Sequence, residues 1–171
     1  TKIDFLEAHS NLGLAYFRLG KLDLAEIHLR KAIGLNSQFL PANSNLSVVL
    51  KHLGRLTEAE VFCRKALDID PDFFEALINL GTILFDLNKI NEAKAYINKA
   101  LSIRPDSIDA LFALGSIYQS ENEFEKALSI FQKIERYDSN NNKALTSLGR
   151  ILSIQGDYAT GLSKQRCAVG C

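Results

Sequence analysis

Apolar residues return along this chain in steps of three and four. Leu77, Leu80, Leu84 and Leu87 mark one face of a helix, and Ala93, Ile97, Ala100 and Leu101 mark a face of the next. Between the two stripes lies the polar stretch "NKIN", and "GKLD", "GRLT" and "NEFE" occupy the equivalent places elsewhere. Gly or Asn at the head of each can take the left-handed conformation that ends a helix. The pattern predicts helical hairpins, each made of two short amphipathic helices and a tight turn.

The hairpins recur at a fixed interval. "AHSNLGLAYFRLG" (Ala8 to Gly20) and "ANSNLSVVLKHLG" (Ala42 to Gly54) lie 34 residues apart and share both "SNL" and the closing "LG". An offset that holds along the chain marks a structural unit copied end to end. The units run 6–39, 40–73, 74–107, 108–141 and 142–171, the last incomplete or degenerate. Residues 1–5 read as the tail of an upstream unit, because "DFLEA" at Asp4 echoes "DFFEA" at Asp72. The seventh position is always leucine: Leu12, Leu46, Leu80, Leu114 and Leu148. The eighth is small (Gly13, Ser47, Gly81, Gly115, Gly149), as is the twentieth (Ala25, Ala59, Ala93, Ala127, Gly161). Small residues on both helices allow axes to approach to about 8 Å. Asp23, Thr57 and Asn91 stand where a side chain could cap the second helix, Thr57 and Glu60 have capping-box spacing, and Pro41 suits a first helical turn. In the last unit Gly161 and Gly170 should each weaken the helix by about 1 kcal/mol, and Gln165 fills an apolar position.

"LGLAY" (Leu12 to Tyr16) and "LGSIY" (Leu114 to Tyr118), with the alanine at position twenty, resemble the tetratricopeptide repeat. The family's tryptophan is replaced by His9, Asn43, Leu77, Leu111 and Leu145, and its proline by Ser37 and Ser139 in two units. The resemblance implies an all-α, right-handed superhelical solenoid of antiparallel helix pairs. It also implies a concave groove lined by positions 2, 5, 6, 9, 12 and 13 of each first helix.

Position 6 is Asn11, Asn45 and Asn79, then Ala113 and Ser147. An asparagine amide both donates and accepts, so it can pair with the main chain of an extended peptide whatever the peptide's side chains. Similar asparagines line the repeat domain of O-linked N-acetylglucosamine transferases. The plainer reading is polar residues on a solvated face, or a relic of duplication. Phe17, Phe85 and Phe112 are candidate apolar anchors on the same face, or else core residues. Lys143 and Arg150 form a basic pair suited to an acidic segment. A clamp for a C-terminal carboxylate would need lysine and asparagine at positions 5 and 9 of the first unit, which holds Ser10 and Leu14 there instead.

Composition narrows the partner. Lys plus Arg and Asp plus Glu both total 20, so no net charge draws the chain to nucleic acid or to anionic lipid. Without a membrane-length apolar run or a signal-peptide pattern, the expected location is cytoplasmic. Three cysteines at unrelated spacings fit a reducing compartment. Cys63 reads as a buried thiol, and Cys167 and Cys171 could share a helix face but lack further ligands. His9, His28 and His52 look isolated, Glu58 and Glu60 face different ways, and no catalytic motif is present, so no enzyme activity, cofactor or metal is expected. The chain starts at Thr1 without any methionine and reads as cut from something larger. The expected function is a protein-interaction scaffold that binds an extended peptide or a partner helix. The alternative is the recognition or self-assembly arm of a larger enzyme such as a glycosyltransferase, with self-association through the array ends.

Overall fold

In the computed structural model, the backbone is described for residues 2–169 and the side chains for residues 5–168. Among the described residues the chain forms ten α-helices and no strand. These are α1 (Lys2–Arg18), α2 (Leu22–Leu35), α3 (Leu40–His52), α4 (Leu56–Ile69), α5 (Phe74–Asp86), α6 (Ile90–Ile103), α7 (Ile108–Ser120), α8 (Phe124–Tyr137), α9 (Asn142–Ile154) and α10 (Tyr158–Val169). Contacts group them into two compact units, residues 1–96 and 97–171. In the first, α1 packs on α2 and α3 on α4, α2 abuts α3, α4 abuts α5, and the first helices α1, α3 and α5 touch in succession. In the second, α7 pairs with α8, α8 abuts α9, and α9 pairs with α10.

One turn is used throughout. Gly20, Gly54 and Gly156 adopt φ of 71°, 76° and 92°, and Asn88 and Asn122 adopt 60°, the left-handed region open to glycine and tolerated by asparagine. The next residue donates its N–H back across the helix end, Lys21 to the Tyr16 carbonyl at 2.9 Å and Lys89 to that of Leu84 at 2.8 Å. These bonds satisfy carbonyls that the helix end leaves free.

The same turn overturns the expected caps. The chain reverses so quickly that α2, α4 and α6 begin at Leu22, Leu56 and Ile90, which puts Asp23, Thr57 and Asn91 inside the first helical turn. Lys21 and Arg55 take the cap positions and make no side-chain cap bond. Side-chain caps form instead on the first helices α7 and α9, where Ser107 accepts the Ala110 N–H (3.3 Å) and Asn141 that of Ala144 (3.1 Å), and on α10, where Asp157 accepts the Thr160 N–H (3.1 Å). Pro41 does sit in the first turn of α3. The two echoing pentapeptides also differ. Around Asp72 the Asp70 side chain accepts the Asp72 N–H (3.0 Å) beside Pro71 and holds a bend, whereas no proline precedes Asp4, and α1 runs back to Lys2.

Small residues sit where helices cross. A β-carbon on Gly13 would lie 2.5 Å from Leu29 Cγ, and one on Gly115 would lie 2.8 Å from the Phe131 ring. Ser47 fits the same place by donating to the Ser44 carbonyl (2.6 Å) while Cys63 Sγ lies 3.0 Å from its hydroxyl. Burial pushes the Cys63 thiol up to about 12, which leaves it without reactive thiolate. Cys167 is exposed, and Cys171 lies outside the described residues. Gly161 has a stronger role than a weak point in α10. A β-carbon there would stand 2.8 Å from the Gly149 carbonyl oxygen, so the crossing of α9 and α10 requires glycine. Gly170 lies outside the described residues.

Ions clasp consecutive second helices in the first unit. Glu26 accepts from Arg30 (2.7 Å) and Arg55 (2.8 Å), while Glu58 pairs with both arginines. At the same positions one hairpin later, Glu60 accepts from Arg64 (2.8 Å) and Lys89 (2.9 Å), while Glu92 accepts from Arg64 (2.9 Å). The Arg30 hydrogen bond holds the Glu58 carboxyl below its ordinary range against the opposing effect of burial, with help from Arg55. Burial works to raise Glu60, but the bonds from Lys89 and Arg64 outweigh it and its carboxyl also falls. Histidines that look isolated in sequence prove paired. His9 Nδ1 lies 3.0 Å from His28 Nδ1 across the α1–α2 hairpin, and the Tyr16 ring stacks on His28 at 5.3 Å. Burial, then His9 and Lys31, hold His28 below its ordinary value.

Three outcomes test this packing. Helix propensity alone would make Gly161→Ala stabilising by about 1 kcal/mol. The crossing instead predicts overpacking, with a net loss of about 1 to 3 kcal/mol in thermal or urea denaturation. Glu60→Gln should lower stability by about 0.5 to 1 kcal/mol at low salt, and the difference should shrink as added salt screens the clasp. For His28 the folded value lies below the unfolded one, so the unfolded chain binds more protons between the two. Stability should therefore be complete above pH 6.5 and decline as pH falls through 6.5 toward the folded value, a step that His28→Asn should flatten in melts taken across that range.

Candidate functional site

The first helices of the first unit carry one polar face in common. Asn11, Asn45 and Asn79 occupy the same position on α1, α3 and α5; Asn11 is exposed, and the other two are half-buried. Asn79 donates from Nδ2 to Ser44 Oγ at 3.0 Å, which fixes its amide plane against α3. One further N–H and the carbonyl oxygen of that amide remain for another partner. A second row of contacts joins the same helices nearer their C-terminal ends. Phe17 meets the His52 ring edge-on at 5.0 Å, and Lys51 Nζ lies 3.0 Å from Asp86 Oδ2. Phe17 and Phe85 are half-buried, so each offers part of a ring. Lys51 and Asp86 neutralise one another, which leaves the asparagines as the uncharged hydrogen-bonding groups of this face.

In the second unit a cleft of about 340 Å³ opens between α7 and the start of α9. Ile108, Asp109 and Phe112 line one wall, and Asp138, Asn140, Asn141, Asn142 and Lys143 the other. It brings together two residues singled out from the sequence, with Lys143 Nζ 6.0 Å from the centre of the Phe112 ring. Phe112 is also partly core, since its ring lies 5.6 Å from buried Phe131. Asp138 is held by the Asn140 N–H (3.2 Å) and by Asn141 Nδ2 (3.1 Å), so this wall is a built turn. Sequence reasoning passed over that turn, although the run "DSNNN" from Asp138 to Asn142 signalled it. Arg150 is exposed on α9 and does not line the cleft. Position 6 continues here as half-buried Ala113 and buried Ser147, so the asparagine series ends with the first unit.

Among the described residues no three His, Cys, Asp or Glu side chains converge as a metal site would require. No helix among them is long and apolar enough to cross a membrane.

Among solved structures, Pseudomonas aeruginosa pilF superimposes with a TM-score of 0.87 at 22% identity, covering 98% of this chain and 77% of that one. TTC0263, a thermophilic TPR protein of Thermus thermophilus, gives 0.86 at 16% identity over 96% and 90% of the two chains. YrrB, described as a TPR protein with an unusual peptide-binding site, gives 0.68 at 22% identity over 94% and 83%. At such identities the likeness establishes the fold alone. No curated protein matches in sequence. Sequence models of the tetratricopeptide repeat match residues 6–39, 50–113 and 89–151. Proteins built from this repeat generally mediate protein–protein interactions and typically serve as scaffolds without catalysis. The likeness of Asn11, Asn45 and Asn79 to those of O-linked N-acetylglucosamine transferases rests on sequence only. With family matches across most of its length, and with the hairpins and left-handed turns that the repeat demands, the chain belongs to the tetratricopeptide repeat family.

Proposed function

We propose that this chain is a protein-interaction scaffold whose first helices α1, α3 and α5 grip an extended peptide segment by its main chain through Asn11, Asn45 and Asn79. The carrying observation is the Asn79 amide, held by Ser44 at 3.0 Å yet with an N–H and a carbonyl oxygen to spare. Holding the amide in advance lowers the side-chain entropy lost on binding. Phe17 and Phe85 flank the asparagines as partial apolar anchors. In the second unit the cleft at Phe112 and Lys143 is a separate anchor for a side chain, with Arg150 exposed further along α9. Equal numbers of acidic and basic residues favour a protein partner over nucleic acid or membrane, in the cytoplasm. A peptide site on this fold has a counterpart in YrrB, whose description names one. The enzyme-arm reading gains no observation of its own.

Each amide should contribute about 0.5 to 1.5 kcal/mol net, because contacts with water are exchanged rather than gained. Changing Asn11, Asn45 and Asn79 together to alanine should weaken a peptide selected from an array by tens-fold or more. Melting should shift only by the loss of the Asn79–Ser44 bond. Side-chain scanning of that peptide should show shallow preference where it crosses α1, α3 and α5. Full affinity in the triple variant would sink the main-chain reading and pass the question to Phe17 and Phe85.

A further inference from the structure

The cleft of the second unit is unevenly charged. Its lining holds the carboxylates of Asp109 and Asp138 against a single ammonium, that of Lys143. Among the described residues no cation meets either carboxylate. Asp138 accepts the Asn140 N–H at one oxygen (3.2 Å) and Asn141 Nδ2 at the other (3.1 Å), both uncharged donors, so each oxygen keeps a lone pair for another partner. Asp109 is exposed in the first turn of α7, and Phe112 follows one turn later on the same face.

Lys143 shows what the ring attracts. Its ammonium stands over Phe112 at 6.0 Å, the outer limit of a cation–π contact, yet it pairs with neither acid. A point charge on one stem meets the ring or a carboxylate, not both. A guanidinium is planar, lies flat on a ring and still presents N–H donors at its edge in a fork that fits a carboxylate. An acidic side chain drawn by Lys143 would come to rest between two like charges. Arg150 lies seven residues further along α9, about 10 Å by helical rise and beyond a screening length at physiological salt, so it does not alter this balance. At about 340 Å³ the cleft is at the small end of ligand-sized sites and suits one long side chain.

We propose that this cleft selects an arginine side chain of the partner, whose guanidinium lies on Phe112, forks to Asp109 and reaches Asp138, displacing the Lys143 ammonium from the ring. This rests on the cleft being a side-chain anchor, as proposed above, and names the side chain it takes. Lys143 is then the chain's own stand-in for the ligand cation. It competes with the partner, and its loss should strengthen binding.

Amide NMR of the full chain, titrated with blocked Gly-Xaa-Gly tripeptides carrying arginine, lysine, norleucine or glutamate, tests this. The arginine peptide should shift the signals of Ile108 to Phe112 and of Asp138 to Lys143, saturating at about millimolar concentration. Lysine should bind about two- to fivefold more weakly, for want of the fork and the stack, and glutamate and norleucine should leave those signals in place. Asp109→Asn should weaken the arginine peptide by about two- to fivefold, the range open to an exposed pair. Lys143→Met keeps the stem without the charge and should tighten it by a similar factor; Lys143→Gln serves the same purpose should the first variant lose helical circular dichroism. Glutamate or norleucine binding as well as arginine overturns the assignment but keeps the anchor. Unchanged or weakened arginine binding in Lys143→Met overturns the assignment too. No shift with any of the peptides overturns both assignment and anchor. A tripeptide has too little main chain to cross α1, α3 and α5, so failure here and failure of the asparagine grip are read separately.

Discussion

Two short helices bury their apolar stripes only if their backbones come close, and here that approach is set by residues without bulk at the crossing. Gly13 faces Leu29, Gly115 faces Phe131, and Gly149 faces Gly161, each with less room than a β-carbon needs. Everything else follows from those crossings. They bring the first and second helices of a hairpin together, leave the remaining stripe open, and so oblige each hairpin to cover that stripe with its neighbour. Stability in such an array is a sum of units and of joints between neighbours. Hence a buried leucine at position 7 does as much for the joint as for the hairpin that owns it.

The joints divide the surface into parts with different chemistry. On second helices, long charged side chains span consecutive hairpins as ion pairs centred on the largely covered carboxylates of Glu26 and Glu60. On first helices the joints are mixed: Ser44 with Asn79, Phe17 with His52, and one ion pair, Lys51 with Asp86. A face held by hydroxyl, amide and ring contacts keeps hydrogen-bonding capacity at fixed spacing. A face held by ion pairs has already committed much of its charge to its own neighbours.

Much of this was legible in the sequence, because the 34-residue offset and the three-and-four periodicity are properties of backbone and core. The left-handed turns were readable at Gly20, Gly54, Asn88 and Asn122 for the same reason. Other features were not. The capping expectation for Asp23, Thr57 and Asn91 failed since the turn passes directly into the second helix, which local spacing does not reveal. The His9–His28 pair joins residues 19 apart across a hairpin, where side-chain direction and not pattern decides who meets. Asn79 was identifiable as a groove residue, but its tether to Ser44 depends on how α5 sits beside α3. Phe112 was read as anchor or core, and the structure makes it some of each.

The ion clasp also acts as a form of addressing among the hairpins. Glu26 and Glu60 reach forward to Arg55 and Lys89, but at the corresponding places later in the chain the signs are exchanged, with Lys94 in α6 and Glu123 ahead of α8. Modules that share one backbone and one core are therefore not interchangeable. A hairpin moved out of turn, the fourth placed after the first, would set Glu123 against Glu26, like charge against like. The repeats agree on how to pack, while their charges set some neighbours against others.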